Sequence, residues 1–130
     1  MDDPWGVSCS LKLYDNPWKV QKVLTNYDTS YNNRLILSIK DVTEMVLPVL
    51  GENAERKAQT ADGVKLWFWD VDTESSHELA LKQESDGGYV ITGNWNQEFI
   101  KRKNLKPGDE IGLQWDRYNG RFNFRLWVKN

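Results

Sequence analysis

The 130-residue sequence has little of several features that define other protein classes. A single cysteine, Cys9, excludes a disulfide within the chain, and a single histidine, His77, excludes a metal site built from several histidines. No apolar run approaches the roughly 20 residues that span a bilayer, and the first residues lack the basic and apolar regions of a secretory signal. We therefore expect a soluble intracellular protein without a disulfide, metal ion or other cofactor.

Enzyme motifs are also scarce. The sequence has no Gly-rich phosphate loop and no Gly-x-Ser-x-Gly element, although a Ser–His–Asp arrangement around His77 stays open. The run from Asp70 to Thr73 resembles the Asp-x-Asp-Thr nucleophile motif of haloacid-dehalogenase-type phosphatases. Those enzymes need a helix after that strand, whereas this sequence predicts another strand. We expect the polar end of a hairpin, no enzyme activity and no small-molecule substrate.

An excess of positive charge is missing as well. The formal net charge is -2, whereas domains that hold a phosphate backbone more often carry a basic surplus or a basic stripe. Net charge is a sum over the whole chain, so a basic face can coexist with an acidic one. Seven Trp, five Tyr and four Phe offset a hydrophobic fraction of 39%, because large aromatic side chains bury much area. This composition predicts one packed domain.

The order of apolar patterns predicts a β-rich fold. Alternation and turn residues indicate seven short strands, at 19–24, 34–37, 64–71, 77–82, 89–92, 110–116 and 121–128. Two helices are expected, one over 41–47 capped by Ser38 and ended by Pro48, and one that begins at Asn94. We interpret 25–33 as a polar loop, 52–63 as a charged connection, 1–17 as an irregular lead-in and 18–130 as the domain.

Spacing in the second half gives the most specific local predictions. Asn94 and Gln97 fit a capping box, and Trp95 and Phe99 lie one helical turn apart on one face. The residues 106–109, Lys-Pro-Gly-Asp, predict a tight turn, and Asn119-Gly120 is a pair favoured in two-residue hairpins.

Two groups of side chains have competing interpretations. Trp67 and Trp69 alternate with Phe68, so the strand is apolar on both faces, and we interpret it as core rather than as a platform for bases or sugars. The basic run 101–103 could contact phosphate or belong to a nuclear signal, but a solvated helix end is the favoured interpretation.

The order of several short motifs resembles the plant B3 DNA-binding domain family. The resemblance begins with Leu24-Thr25, Asp28 and the run 33–36, Asn-Arg-Leu-Ile, and it continues with the helix over 41–47. The second half adds Trp95, Phe99, Leu105, Gly108 and Asp109. The runs 69–73 and 77–79 are most similar to a divergent, reproductive-meristem-like B3 subgroup.

This resemblance implies an all-β, seven-stranded open pseudo-barrel with two short α-helices. It also implies the DNA-binding domain of a plant nuclear transcription factor, which grips the major groove of double-stranded DNA with two arms. The first arm is the loop 26–34, after the first strand, and the second arm is the turn 83–88, between the fourth and fifth strands. The implied DNA-binding residues are Asn33 and Arg34 for base edges, Lys19, Lys22 and Lys40 for phosphates, and Tyr31, Gln83 and Ser85 in the arms.

Both arms depart from the family pattern. The first arm has Ser30-Tyr31 where the family usually carries Gly-Lys, and the second arm contains Glu84 and Asp86, which repel a phosphate backbone. The alternative is therefore a B3 fold that has lost sequence-specific DNA binding and acts in protein–protein interaction. Further transcription regulators are possible partners in either case, and no membrane partner is expected. A Trp-rich sheet that binds carbohydrate is the third class considered.

Overall fold

One seven-stranded sheet, curved into a nearly closed barrel, organises the computed structural model, which describes residues 20–130. The strands are β1 (Val20–Val23), β2 (Leu35–Leu37), β3 (Val64–Asp70), β4 (Ser75–Gln83), β5 (Tyr89–Thr92), β6 (Glu110–Asp116) and β7 (Arg121–Val128). Their order is β1-β6-β7-β3-β4-β5-β2, and β3 and β7 form the parallel pair at its centre. The predicted seven-stranded open pseudo-barrel is confirmed.

An aromatic cluster fills the barrel. Trp95 stacks on Phe99 with ring centroids 5.3 Å apart, as their helical spacing predicted, and Phe99 lies 4.4 Å from Phe124. Phe68 stacks on Phe122 at 5.4 Å, where β3 and β7 run side by side. Buried Leu, Val and Ile side chains complete the core around these rings, and each ring removes a large apolar area from water.

Short helical segments cross the open parts of the barrel. They are α1 (Asn26–Thr29), α2 (Ile39–Asp41), a first π-helical segment (Val42–Val46), α3 (Leu47–Leu50), α4 (Glu52–Ala58) and a second π-helical segment (Asn96–Lys101). The two predicted helices are present, but α1 and α4 were not predicted. None of the helices within residues 20–130 is long and apolar enough to cross a bilayer.

Helix ends were predicted with mixed success. Ser38 caps α2 by accepting a hydrogen bond from the Asp41 amide at 3.3 Å, as expected. Pro48 does not end this helix, which continues to Gly51, where φ is +91°. Proline is tolerated because it lies in the first turn of α3, where a missing N–H is least damaging. Asn94 precedes the helix with a left-handed φ of +93°, and its carbonyl accepts a hydrogen bond from the Glu98 amide at 3.0 Å, but the predicted capping box with Gln97 does not form within the described residues.

Of the two predicted turns, one is confirmed and the other differs from the prediction. The Asp109 amide donates to the Lys106 carbonyl at 3.1 Å, and Gly108 has a φ of +94°, which confirms the predicted Pro-Gly turn. The Asn119-Gly120 hairpin is wider than predicted. Asp116 pairs with Arg121 in the sheet, so four residues rather than two form the loop.

The interpretation of the Trp-rich strand as core was wrong for one face. Phe68 is buried, but Trp67 is 51% exposed, and Trp69 lies under the Arg121 guanidinium at 4.5 Å. Helices and the barrel interior cover only the face of β3 that carries Phe68. The alternation predicted which residues share a face, and it did not determine whether the second face is covered.

Candidate nucleic-acid interface

The first arm (residues 26–34) connects β1 to β2, the two strands at opposite ends of the sheet order. The arm begins with a capping box at the N-terminus of α1. The Thr25 hydroxyl accepts a hydrogen bond from the Asp28 amide at 3.2 Å, and the Asp28 carboxylate accepts one from the Thr25 amide at 2.9 Å. The Thr-x-x-Asp spacing in the sequence carried this signal, although the segment was interpreted as a loop.

Asp28 holds the first arm onto the barrel. Its carboxylate is fully buried and accepts a further hydrogen bond from the Ile36 amide at 3.0 Å, which connects the arm to β2. Its carbonyl accepts one from Trp95 Nε1 at 2.8 Å, which connects the arm to the aromatic core. The Lys22 ammonium lies 3.2 Å from the same carboxylate. Asp28 therefore fixes the arm and neutralises a lysine expected to hold phosphate.

Asn33 is the second anchor of this arm. It adopts a left-handed φ of +61°, and its side-chain oxygen accepts a hydrogen bond from the Asn96 amide at 2.7 Å. Asn96 in turn donates to the Ser30 carbonyl at 2.6 Å. Reading adenine in the two-bond manner needs both the oxygen and the nitrogen of the amide. In this conformation the oxygen is occupied, so only the amide nitrogen can meet a base edge.

Arg34 connects the two arms. Its Nη1 forms an ion pair and hydrogen bond with Glu84 Oε1, and the two side chains are 40% and 25% exposed. Because both groups remain partly in water, the pair can open at a modest free-energy cost. Arg34 thus lies where both arms meet, with its charge balanced by the acidic second arm.

The second arm (residues 83–88) is a compact turn held by its own atoms. The Glu84 amide donates to the Gly88 carbonyl at 2.7 Å, and the Gly87 amide donates to the Glu84 carbonyl at 2.9 Å. Gln83 Nε2 donates to the Gly87 carbonyl at 3.3 Å, and Ser85 is exposed at the tip. Gln83 therefore supports the turn, while Ser85 faces solvent.

The remaining candidates are dispersed. Tyr31 is 92% exposed at the tip of the first arm, and Lys40 is exposed on α2. Lys19 lies outside the described residues, as does the lead-in 1–17. The structure thus brings Arg34 together with the second arm and attaches Asn33 and Lys22 to the fold. Asn96 and Glu84 are partners that sequence reasoning did not assign, since each contact joins segments at least 50 positions apart.

The predicted solvated helix end is correct for Lys101, which is exposed, but not for Arg102 and Lys103. Arg102 Nη2 lies 2.7 Å and Lys103 Nζ 3.0 Å from Asp70 Oδ2, and the Lys103 side chain is only 7% exposed. Burial alone would raise the pKa of Asp70, but the hydrogen bonds from Arg102 and Lys103 outweigh it and hold that pKa below its usual value. Asp70 and these two cations, here called the clamp, fasten the second π-helical segment to the end of β3.

His77 belongs to a neighbouring hydrogen-bonded chain. Its Nδ1 lies 2.7 Å from Glu98 Oε1, and its Nε2 lies 2.7 Å from the Ser75 hydroxyl. This order of groups is that of a hydrolase triad, so the arrangement left open in the sequence does form with Glu in place of Asp. The ring is 8% exposed and packs 5.2 Å from Phe99, and Ser75 also bonds the Thr73 hydroxyl at 2.8 Å. These contacts join the β3–β4 hairpin to the helix, and we interpret them as structural.

Comparison with known proteins identifies a matching family, relatives in sequence and solved structures of the same fold. Residues 18–127 match the family described as B3 domain-containing protein At5g26805, C-terminal domain. The chain is 32% identical over 91 residues to the putative B3 domain-containing protein At1g78640 of Arabidopsis thaliana, covering 68% of this chain and 19% of that protein. It is 30% identical over 125 residues to B3 domain-containing protein At1g10455 of the same plant, covering 95% and 71%. The chain thus spans about a fifth of At1g78640 and also of a further Arabidopsis relative, B3 domain-containing protein At4g02870.

Solved structures share the fold. The Arabidopsis FUS3–DNA complex superposes with a TM-score of 0.67 at 18% identity, over 86% of this chain and 98% of that one. The complex of the Arabidopsis thaliana transcription factor LEC2 with DNA gives a TM-score of 0.65 at 18% identity, over 86% and 94%. At 18% identity these superpositions establish a shared fold and nothing more. The family itself is established by the match over residues 18–127, which covers most of the sequence. The chain belongs to the B3 domain family.

Proposed function

We propose that this domain binds double-stranded DNA in the major groove and serves a plant transcription regulator in the nucleus. The observation that carries the proposal is the arrangement of the two arms. A barrel shared with two B3–DNA complexes presents the first and second arms side by side, joined through Arg34 and Glu84. Donors on these projections could read base edges, because each base pair presents a distinct pattern of donors and acceptors in the major groove.

The proposed contacts divide by role. Arg34 reads a guanine edge once it leaves Glu84, because a guanidinium can donate two hydrogen bonds to the O6 and N7 atoms of guanine. Tyr31, Gln83 and Ser85 lie in the same arms, and Asn33 contributes its amide nitrogen. Lys22 and Lys40 contact phosphate, with Lys22 weakened by its ion pair to Asp28. Binding is expected to be modest, since few cations near the arms are unneutralised, and it should weaken as salt rises because each phosphate contact releases counterions.

A fluorescence-anisotropy titration of the purified domain with a pool of labelled DNA duplexes tests the proposal. At low ionic strength we expect association that weakens steeply as salt rises, because phosphate contacts release counterions. Arg34→Ala should remove sequence preference, at a cost of about 1–3 kcal/mol for each base that Arg34 reads. Lys40→Ala, at an exposed lysine of α2, is the matched control, and it should weaken all sequences alike. Absence of any binding at low salt would refute DNA recognition.

The same fold as a protein-interaction module is the second candidate. The second arm favours it, because Glu84 neutralises Arg34 and the Asp86 carboxylate adds negative charge where a DNA backbone would approach. Under this alternative neither the wild type nor Arg34→Ala binds duplex DNA at any salt concentration, and the domain instead associates with other transcription regulators.

A further inference from the structure

Asn96 joins the first arm to the second π-helical segment by two hydrogen bonds. Its backbone amide donates to the side-chain oxygen of Asn33 at 2.7 Å, and its side-chain nitrogen donates to the Ser30 carbonyl at 2.6 Å. Because Asn96 begins its helical segment, the amide has no acceptor within that segment and is available to the arm. Asn96 therefore closes the tip of the arm, on either side of the exposed Tyr31 and Asn32, from 63 and 66 positions away.

Two features of this contact are typical of functional sites. Asn33 has a left-handed φ of +61°, a region that few residues other than glycine, asparagine and aspartate adopt. Asn96 Oδ1 is buried and has no hydrogen-bond partner within residues 20–130. Left-handed backbone and unmatched buried acceptors both cost free energy, and both concentrate where a structure serves a function. The position of the arm, rather than stability alone, accounts for them.

The Asn96 amide determines the orientation of the Asn33 side chain. A side-chain amide has an acceptor oxygen and a donor nitrogen, and a backbone N–H can be met only by the oxygen. A flipped Asn33 amide would bring two donors within 2.7 Å of each other, so the orientation follows from the chemistry. Within residues 20–130 the Asn33 nitrogen donates no hydrogen bond, and the residue is partly exposed. The end of the side chain that points away from Asn96 is thus a donor.

The four bases differ in what they present to such a donor. In the major groove guanine offers O6 and N7 as acceptors, adenine offers N7 and thymine offers O4, whereas cytosine offers only its N4 amino group, which is a donor. A donor placed against cytosine leaves both groups unpaired, and unpaired polar groups at an interface are costly. The two-bond contact with adenine needs the oxygen that Asn96 occupies.

We propose that Asn96 is a positioning residue that sets base specificity through Asn33. By holding the Asn33 oxygen it makes Asn33 a donor that accepts guanine, adenine or thymine at one base position and rejects cytosine. This role rests on the proposed binding of duplex DNA and deepens it, since it gives the rule of recognition at one position of the site. A residue outside both arms then decides what the first arm reads.

Reversing the polarity of residue 33 tests the proposal. Asn33→Asp keeps an oxygen for the Asn96 amide and tolerates a left-handed φ, but its other atom is an acceptor. Asn33→Gly removes the side chain at a φ that glycine adopts freely, so it identifies the base position that Asn33 reads. The matched control is Asn32→Asp, which adds the same charge one residue away, at a side chain that contacts Ser30 rather than Asn96.

Selection of bound duplexes from a random-sequence pool, followed by anisotropy titrations, measures the preference of each variant. We expect the wild type to bind cytosine at the Asn33 position about tenfold more weakly than the other bases, because two donors are left unpaired. Asn33→Gly should lose this discrimination. Asn33→Asp should prefer cytosine there, with weaker binding to every sequence from the added charge. Asn32→Asp should weaken every sequence and keep the wild-type preference.

Failure of the specificity rule and failure of DNA binding give different results. A wild-type preference for cytosine, an unchanged preference in Asn33→Asp, or no change in Asn33→Gly would overturn the rule alone. No binding at low salt would refute the proposed function and the rule with it.

Hydrogen exchange of the Asn96 amide gives a readout in the absence of DNA. Asn33→Gly should speed this exchange because the amide loses its acceptor, and Asn33→Asp should keep it slow. Equal exchange in the wild type and Asn33→Gly would overturn the role of Asn96, since Asn33 would then not hold its amide.

Discussion

The clamp at Asp70 and the pair between the arms are built from the same chemistry in different surroundings. In the clamp, a carboxylate with no exposed surface holds Arg102 and Lys103, and Lys103 is itself 7% exposed. In the arm pair, Arg34 and Glu84 remain 40% and 25% exposed. Burial makes Asp70 and Lys103 a part of the fold, because neither of them can return to water without unfolding, whereas Arg102 keeps 28% of its side chain exposed. Exposure leaves Arg34 able to exchange Glu84 for another partner, which is what DNA recognition would require.

Replacing the acidic residue, Asp70 in the clamp and Glu84 between the arms, should give the largest difference in the free energy of unfolding. Asp70→Ala leaves Lys103 and Arg102 without their buried partner, so we expect the free energy of unfolding to fall by about 3–5 kcal/mol. Glu84→Ala, the control at the exposed pair, should cost no more than about 1 kcal/mol. Urea denaturation at neutral pH measures both. Equal losses from the two substitutions would contradict the distinction between a buried clamp and an exposed pair.

Lowering the pH should weaken the stabilisation that the clamp provides. The folded-state pKa of Asp70 lies below its usual value, so the unfolded chain binds more protons in the acid range and stability rises with pH there. This stability is complete above the unfolded pKa of about 3.9 and is lost as pH falls further, through the folded pKa. We expect Asp70→Asn to flatten the dependence of the urea midpoint on pH below about 4. An unchanged slope in Asp70→Asn would contradict the prediction.

The smallest expected effect is that of the Arg34–Glu84 pair on affinity for DNA. Glu84→Gln frees Arg34 and removes one negative charge, so duplex affinity should rise by a few fold, equivalent to about 0.2–1 kcal/mol, with little change in stability. Asp86→Asn makes the same charge change in the same turn without touching Arg34. Anisotropy titrations of both variants compare them directly. If both raise affinity equally, general repulsion by the second arm, rather than the pair with Arg34, limits binding.

The elements predicted best were those whose signal is local and repetitive. Residues 89–92, 110–116 and 121–128 form strands with the predicted bounds, since alternation and bounding turns define them within a few residues. The stack of Trp95 on Phe99 followed from a spacing of four. By contrast, α4 was missed because seven residues with one buried Ala58 give almost no apolar periodicity, and α1 was missed because it has a single turn.

The two arms inferred from the resemblance lie next to each other in the structure, and their role as a DNA interface stays a prediction. The resemblance located both arms, and Arg34 lies in them as expected. Sequence spacing carried no information on the hydrogen bond of Asn33 with Asn96 or the ion pair of Arg34 with Glu84, because each joins residues far apart in the chain. The same limit applied to Lys103, whose burial depends on Asp70 on another element. The DNA contacts themselves stay a prediction.

By itself, the sequence determined most strands, the Pro-Gly turn, the stack of Trp95 on Phe99 and membership of the B3 family, because each depends on neighbouring residues or on the order of motifs. Only the tertiary structure decided which charges are neutralised inside the fold and which pairs remain in water. Ion pairing and burial depend on distances between segments that the chain brings together only when the barrel closes. That is why Lys103 became part of the fold and Arg34 stayed exchangeable.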